Sequence, residues 1–435
     1  MGSKVLLISL DLINHAPLAL GYLKAYARRE PEILKKARII IESFSIRVRK
    51  DYVLKYIEAE RPDIIGFSCY LWNIRYILDI CKDIKKMLPK LKLVLGGPEV
   101  TPRAKEVIFE NPSIDVIVRG EGEQTFKDLI THYLMNSPAL KDISGITFRD
   151  NGAVISNKKR PQIEDIDRIP SPYLTKVIPV DENTYPYLET HRGCTFKCRY
   201  CYYHKEFSDI RCFSLARIKE EIKFLMEAGV KIVSFVDPTF NINPERLKDI
   251  CRLIANINNG HTSFHAELMA ELVDEEMADL LSKANFYYLE VGLQSTNKKA
   301  LEKVNRIYDL ARFERGIRLL SERIETVELQ LIVGLPGDNY SGFVETLKFA
   351  LSLNSTRFYI FTLALLPGTY LLEHRDEFKI VYDRHPPYHV LSNETFSYEE
   401  MQKAKMVANS LQMFTAFFKN TIKILLKKRS KFKNL

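Results

Sequence analysis

Cys194, Cys198 and Cys201 lie in the stretch Arg192-Gly193-Cys194-Thr195-Phe196-Lys197-Cys198-Arg199-Tyr200-Cys201, a Cys-x-x-x-Cys-x-x-Cys spacing. Three thiolates on one loop can each ligate one iron of a cubane 4Fe-4S cluster, leaving the fourth iron open to a substrate or cosubstrate. The competing reading is structural zinc, because His204 follows closely enough to complete a Cys3His set. Zinc sites of that type stand in small, loop-dominated modules, so the element that carries the loop decides between the two. Cys212, just beyond, is either a thiol able to donate a hydrogen atom or a small buried hydrophobe. His385 and His389 are either an acid or base near a pocket or ordinary surface histidines.

The loop follows the first strand of an alternating βα region, which favours iron. From Tyr187, strands are expected at Tyr187 to Glu189, Lys231 to Val236, Phe264 to Leu268, Tyr287 to Leu293, Glu328 to Val333 and Arg357 to Leu363. Helix starts are signalled by Ser214, by Asn243 before Pro244, and by Asp274 before Glu275 and Glu276. Six βα units make an open, partial (β/α)6 barrel over residues 184–397, with chemistry expected at the carboxyl ends of its strands.

Residues 1–149 alternate in the same way, with strands at Val5 to Leu10, Ala37 to Ile41, Asp63 to Ser68, Leu91 to Leu95 and Asp115 to Val118. The expected fold is α/β, a Rossmann-like doubly wound sheet. Three strands run into small or polar turns: Ser68-Cys69-Tyr70, Gly96-Gly97-Pro98 and Gly120-Glu121-Gly122-Glu123. Turns of this kind at the carboxyl ends of parallel strands make a ligand crevice, although glycines also serve simply to close tight turns. A proline-bearing stretch without period, residues 150–183, reads as a linker. Residues 398–435 read as a helical segment ending in a basic tail.

With 435 residues, 46% hydrophobic and 27% charged, the chain has the composition of a multidomain globular protein, and its apolar runs fall short of the roughly 18 residues of a membrane span. The formal charge of +9 hints at nucleic acid, but seven basic residues lie between Lys419 and Lys433 with no acid among them, which leaves +2 for everything before. Seven cysteines, three of them in eight positions, point to a reducing, cytoplasmic setting and metal chemistry instead of a disulfide framework.

The cluster motif, with an aromatic immediately before its last cysteine, resembles the signature of radical SAM enzymes. That resemblance implies a 4Fe-4S cluster on Cys194, Cys198 and Cys201 whose open iron chelates S-adenosylmethionine (SAM). It further implies reductive cleavage to a 5'-deoxyadenosyl radical that abstracts hydrogen from substrate, with Tyr200 near the adenine. Residues 1–149 look like the cobalamin (B12)-binding domain of a large subgroup, through Gly96-Gly97-Pro98 and Gly120-Glu121-Gly122-Glu123. Further strand-end motifs are similar as well: Asp237-Pro238-Thr239-Phe240-Asn241, Phe264-His265-Ala266-Glu267, Glu290-Val291-Gly292-Leu293-Gln294-Ser295 and Gly334-Leu335-Pro336-Gly337. Matched to the family, Glu267, Gln294 and Ser295 are candidates for the SAM ribose. Asp237 and Thr239 stand where many members carry Gly-Gly-Glu for the methionine amino group, and Glu290 and Gly334 complete the cofactor candidates. Glu267 and Glu290 have an alternative role, pairing with Arg192 or Arg306.

The family's Asp-x-His-x-x-Gly cobalt-ligand motif does not occur; Asp11, His15 and Gly21 have the wrong spacing. Two reactions remain open. In one, methylcobalamin held over Ser68 to Tyr70, Gly96 to Pro98 and Gly120 to Glu123 methylates a carbon radical. In the other, a relic domain holds a peptide for epimerisation, with Cys212 as hydrogen donor. A non-catalytic nucleic-acid-binding protein is a third, weaker reading. The family implies reduced flavodoxin or ferredoxin as electron donor, and a peptide or small molecule as substrate.

Overall fold

The computed structural model describes residues 2–11, 15–207, 209–258, 260–306, 309–353 and 355–413. Internal contacts divide the chain into two units. The first comprises Met1–Gly193, Lys205–Val236 and Ile257–Ser263, and the second Cys194–His204, Asp237–Asn256 and Phe264 onward.

In the first unit, the strands β1 (Ser3–Asp11), β2 (Ala37–Ser45), β3 (Ile64–Ser68), β4 (Lys92–Gly96), β5 (Val116–Val118), β6 (Ile146–Asp150) and β7 (Ala153–Ser156) form one sheet in the order β2-β1-β3-β4-β5-β6-β7. Pairing is parallel through β5 and antiparallel thereafter. Successive β1 side chains enter opposite cores, as a sheet covered on both faces requires. Leu6, Ile8 and Leu10 pack with Phe67 and with Ile77, Ile80 and Ile84 of the helix Ile74–Met87, while Val5 and Leu7 pack with Phe126, Leu129 and Ile130. The order 2-1-3-4-5 reverses between β1 and β3, which makes their carboxyl ends the topological switch point.

All five expected strands are present, but the linker does not begin at residue 150. The chain turns at Asn151 (φ 46°) and Gly152 (φ 85°), and Asp150 pairs with Ala153 in a two-residue hairpin that carries the sheet to Ser156. Asn-Gly is the strongest short-range hairpin signal, because both residues accept positive φ.

The first unit also holds β8 (Tyr187–Leu188), parallel to β9 (Ile232–Phe235), and a ribbon of His191–Arg192 against Arg211–Cys212. In the second unit, β10 (Ser263–Leu268), β11 (Phe286–Gln294), β12 (Thr326–Val333) and β13 (Arg357–Thr362) pair in parallel in that order. These six strands match the six expected, and the anticipated caps hold. Ser214 accepts from Arg217 N, Asn243 from Arg246 N and Asp274 from Met277 N. Each cap satisfies an otherwise orphaned helix amide, a contribution of about 1 kcal/mol. Residues 398–413 are helical. The expected basic tail, Lys419 to Lys433, lies outside the described residues. No helix among the described residues is long and apolar enough to cross a membrane.

Candidate functional site

The loop bearing Cys194, Cys198 and Cys201 has no regular secondary structure and is held by its neighbours in the second unit. Arg199 donates from its backbone N to Val304 O (2.9 Å) and from Nη1 to Lys303 O (2.8 Å), accepts from Leu371 N (3.1 Å), and lays its guanidinium 4.5 Å from the Tyr370 ring centre. Asn305 Nδ2 donates to Lys197 O at 2.9 Å. Cys198 is buried and the other two thiols are half-buried; all three are free of disulfides. Burial raises the Cys194 thiol and pushes that of Cys201 up to about 11. A bound metal reverses that preference by deprotonating the sulfur. Among the described residues no three His, Cys, Asp or Glu side chains converge on a single-ion site. A cubane instead spreads its thiolates over separate irons.

Arg306 joins this loop to the end of β11. Its Nη1 lies 4.0 Å from Cys198 Sγ and its Nη2 donates to Gly292 O at 2.7 Å. Just beyond, the β11–β12 register shifts between Gly292 and Gln294, and Gln294 takes the left-handed φ of 63°. Such a conformation in a residue with a side chain is strained and recurs at functional sites. Buried atoms without a hydrogen-bond partner among the described residues cluster here: Gln294 Oε1, Arg306 Nε and both carboxylate oxygens of Glu271. Burial raises the Glu271 carboxyl, opposed by Arg306. Glu271 sits in the turn Ala270–Leu272, against which the helix Leu310–Ser321 packs so tightly that a Cβ on Gly316 would come within 2.0 Å of Ala270 O. Thr195, Phe196, Lys197, Cys198, Met269, Asn305 and Arg306 line a cavity of about 240 Å³.

Along β10 burial alternates, and the more open face carries His265 and Glu267. Glu267, Glu290 and Glu328 stand in register across β10, β11 and β12, with Arg357 next on β13. Glu290 accepts from Gln330 Nε2 (2.5 Å) and pairs with His265 Nε2 (3.1 Å); burial would raise it, but these bonds hold it below the usual carboxylate range. Glu328 accepts from the Tyr288 hydroxyl (2.6 Å) and pairs with Arg357 Nε (2.8 Å). Glu267 faces open space on this side yet is ringed by protein, and that surrounding mass, then Glu290, pushes its carboxyl up to about 7. Burial, then the cluster thiols against Arg306, raises the Tyr200 hydroxyl.

Other expected positions are engaged in holding the strand ends. Ser295 Oγ donates to Asp338 Oδ2 (2.9 Å), and Thr239 Oγ1 donates to Pro238 O (2.7 Å). Asp237 is buried. The turn they begin is pinned by Phe240 N to Glu267 O (2.8 Å) and by Asn241, which exchanges two hydrogen bonds with the Met269 backbone. Gly334 O accepts from Asn393 Nδ2 at 2.9 Å.

In the first unit the three turns lie side by side at the ends of β3, β4 and β5. Asn73 organises the first, accepting from Tyr70 N (2.8 Å) and donating to Leu10 O (3.1 Å) and Ser68 O (3.0 Å). Gly97, with φ 109°, passes so close to Cys69 that a Cβ would sit 2.5 Å from the Cys69 oxygen. The Cys69 side chain itself is fully buried in the core. Tyr70 stacks on Trp72 (4.6 Å, 3°), and the indole is 55% exposed. Arg192 pairs with Glu121 (3.0 Å), Glu123 (2.7 Å) and Glu189 (3.0 Å), and Arg211 pairs with Glu121 (2.8 Å). Arg192 therefore serves Glu121 and Glu123, not Glu267 or Glu290 as the sequence allowed. Those two expected ligand contacts carry a buried ion network. His15 stacks on Tyr187 at 4.8 Å. Cys212 is exposed, which excludes its reading as a buried hydrophobe.

The radical SAM superfamily profile matches residues 188–350 and the B12 binding domain profile matches residues 4–130, each spanning one of these two sets of strand ends. Over residues 188–350 the chain is therefore similar to the radical SAM superfamily, and over residues 4–130 to B12-binding domains. A third profile, a protein family of unknown function (DUF4080), matches residues 376–433. An uncharacterised methyltransferase of Pyrococcus horikoshii is 29% identical over 366 residues, covering 82% of this chain and 78% of that one. The cobalamin-dependent radical SAM methyltransferase TokK of Streptomyces tokunonensis is 26% identical over 84% of this chain, which spans only 56% of TokK. The structure of TsrM from Kitasatospora setae, with cobalamin and a 4Fe-4S cluster, shares the fold at TM-score 0.71 and 18% identity, over 89% of this chain and 82% of that one.

The two profiles imply a 4Fe-4S cluster, SAM and cobalamin as cofactors, and the residues present fit them. Three free thiols beside a half-buried guanidinium suit an anionic cluster, and the atoms of Gln294, Glu271 and Arg306 that have no partner among the described residues suit a polar cosubstrate that would satisfy them. Three adjacent turns at a switch point, beside an exposed indole, suit a large flat corrin. Sequence reasoning missed Glu271 and the position of Arg306 against Cys198, because nothing in linear spacing brings Arg306 to Cys198 or Glu271 to Arg306.

Proposed function

We propose that the chain is a cobalamin-dependent methyltransferase acting at an unactivated carbon of a peptide or small metabolite. The observation carrying this reading is the pairing, in one chain, of a free three-thiol loop backed by Arg306 with a switch-point sheet that matches the B12-binding profile. When bound, the cluster and SAM supply a carbon radical on substrate and cobalamin supplies the methyl group.

Each side chain then has a task. Cys194, Cys198 and Cys201 hold the cluster, and Arg306 sets the loop against Gly292. Gln294 Oε1 and Glu271 accept hydrogen bonds from SAM, with Glu267 beside them and Tyr200 near the adenine. The main chain of Ser68 to Tyr70, Gly96 to Pro98 and Gly120 to Gly122 cradles the corrin, while Arg192 fixes the last turn through Glu121 and Glu123. A reduced flavodoxin or ferredoxin supplies electrons in the cytoplasm.

The exposure of Cys212 favours a second reading, epimerisation with that thiol as hydrogen donor. One experiment separates the two: reconstitute the protein with iron, sulfide and cobalamin under anaerobic, reducing conditions, and record its spectrum and the products of SAM. Bound corrin together with 5'-deoxyadenosine supports the methyltransferase. A corrin-free protein that still makes 5'-deoxyadenosine, and loses a substrate epimer on Cys212→Ala, supports the epimerase.

A further inference from the structure

In the second unit, a separate cavity of about 230 Å³ opens at the carboxyl ends of β12 and β13. Its walls come from three places. Val333 and Thr362 are the last residues of the two strands, His389 lies on the segment bridged to Ala364, and Lys405, Ala408 and Asn409 lie on the C-terminal helix. Ile360 and Phe361 complete the lining. In a βα barrel, strand ends of this polarity are where substrate binds. The volume is below the roughly 300–1,000 Å³ that encloses a drug-sized ligand, so the cavity is a subsite for part of one.

The polar lining is one-sided in charge. Lys405 brings an ammonium, Thr362 a hydroxyl, His389 an imidazole and Asn409 an amide, and no carboxylate lines the cavity. Lys405 has no salt bridge among the described residues, and burial alone lowers its affinity for a proton. The nearest acid acting on His389, Asp383, accepts from His385 N at 2.9 Å and pairs with the His385 ring at 3.4 Å. A half-buried cation without a counter-ion, beside three further polar groups and over an apolar floor, is short of one negative charge.

We propose that this cavity binds an anionic group of the substrate, a carboxylate or a phosphate, with Lys405 as counter-charge and Thr362, His389 and Asn409 as hydrogen-bond donors. The inference rests on the enzymatic reading above and narrows it: the substrate is an acid or a phosphate ester. The cavity's Ile360, Phe361 and Ala408 cover the adjoining carbon skeleton.

The test is anion binding by the cofactor-loaded protein. Thermal midpoints are measured in sodium phosphate, sodium acetate and sodium chloride at equal ionic strength for the wild type, Lys405→Met, Lys405→Arg and Thr362→Val. The expected result is a concentration-dependent rise with phosphate or acetate beyond that with chloride, showing which anion is preferred. Affinity should fall at least tenfold in Lys405→Met, fall less in Thr362→Val and be largely kept in Lys405→Arg. The inference is overturned if neither anion exceeds chloride in the wild type, or if both Lys405→Met and Thr362→Val retain the wild-type response. Corrin content and SAM cleavage, measured on the same wild-type preparation, report separately on the parent reading.

Discussion

Arg306 makes one bond to the strand end at Gly292 and lies against Cys198, so a single guanidinium couples the three-cysteine loop to the end of β11, and in the proposed function to the SAM site. Replacing it with Leu is expected to lower cluster occupancy or turnover about 10–100-fold, the usual effect of removing a group that orients metal ligands. Iron and sulfide content with 5'-deoxyadenosine yield checks this. Glu267 has a different signature. Its carboxyl is raised from 4.5 to about 7 in the folded protein, so the native state holds the proton more tightly than the unfolded chain. Stability from this group is present at low pH and is lost as pH rises from about 4.5 through 7. Urea midpoints of the cofactor-free wild type should therefore fall across that window relative to Glu267→Gln, and parallel curves would count against the assignment. At this scale the three cysteines were legible because their chemistry is encoded in local spacing. Arg306 and Glu271 were not, since their roles depend on folding that brings residues far apart in sequence together. The alternative role for Glu267 and Glu290, pairing with Arg192 or Arg306, could not be decided from the sequence for the same reason; Arg192 pairs with Glu121, Glu123 and Glu189.

At the scale of elements, parallel strands were legible from their apolar runs, and helix starts from their capping residues. The β6–β7 hairpin opens a proline-bearing stretch without period, which hides it from periodicity, although Asn151-Gly152 states it plainly in turn chemistry. The turns of the first sheet carry two predictions. Gly97→Ala places a Cβ against the Cys69 carbonyl at positive φ, and is expected to cost about 1–3 kcal/mol in urea unfolding and to impair corrin uptake. Arg192→Leu leaves Glu121, Glu123 and Glu189 without their common partner, with only Arg211 still paired to Glu121, for a loss of about 3–5 kcal/mol. Unchanged midpoints in either variant would show that the turn is not held as described.

For the whole molecule, the two sets of strand ends are matched by two different cofactor families in one chain, and that combination carries the functional reading more firmly than any single residue. The fold class was readable because both halves repeat the same βα alternation. Substrate identity was not, because the residues lining the cavity proposed as its subsite come from strand ends, a bridging segment and the helix over residues 398–413, which no local pattern links. The most direct test of the central claim is the reconstituted protein itself, anaerobic and reduced, supplied with cobalamin and SAM. The account predicts a stably bound corrin spectrum and formation of 5'-deoxyadenosine that disappears in Cys198→Ala. A wild type with an intact cluster that neither retains corrin nor cleaves SAM would contradict it.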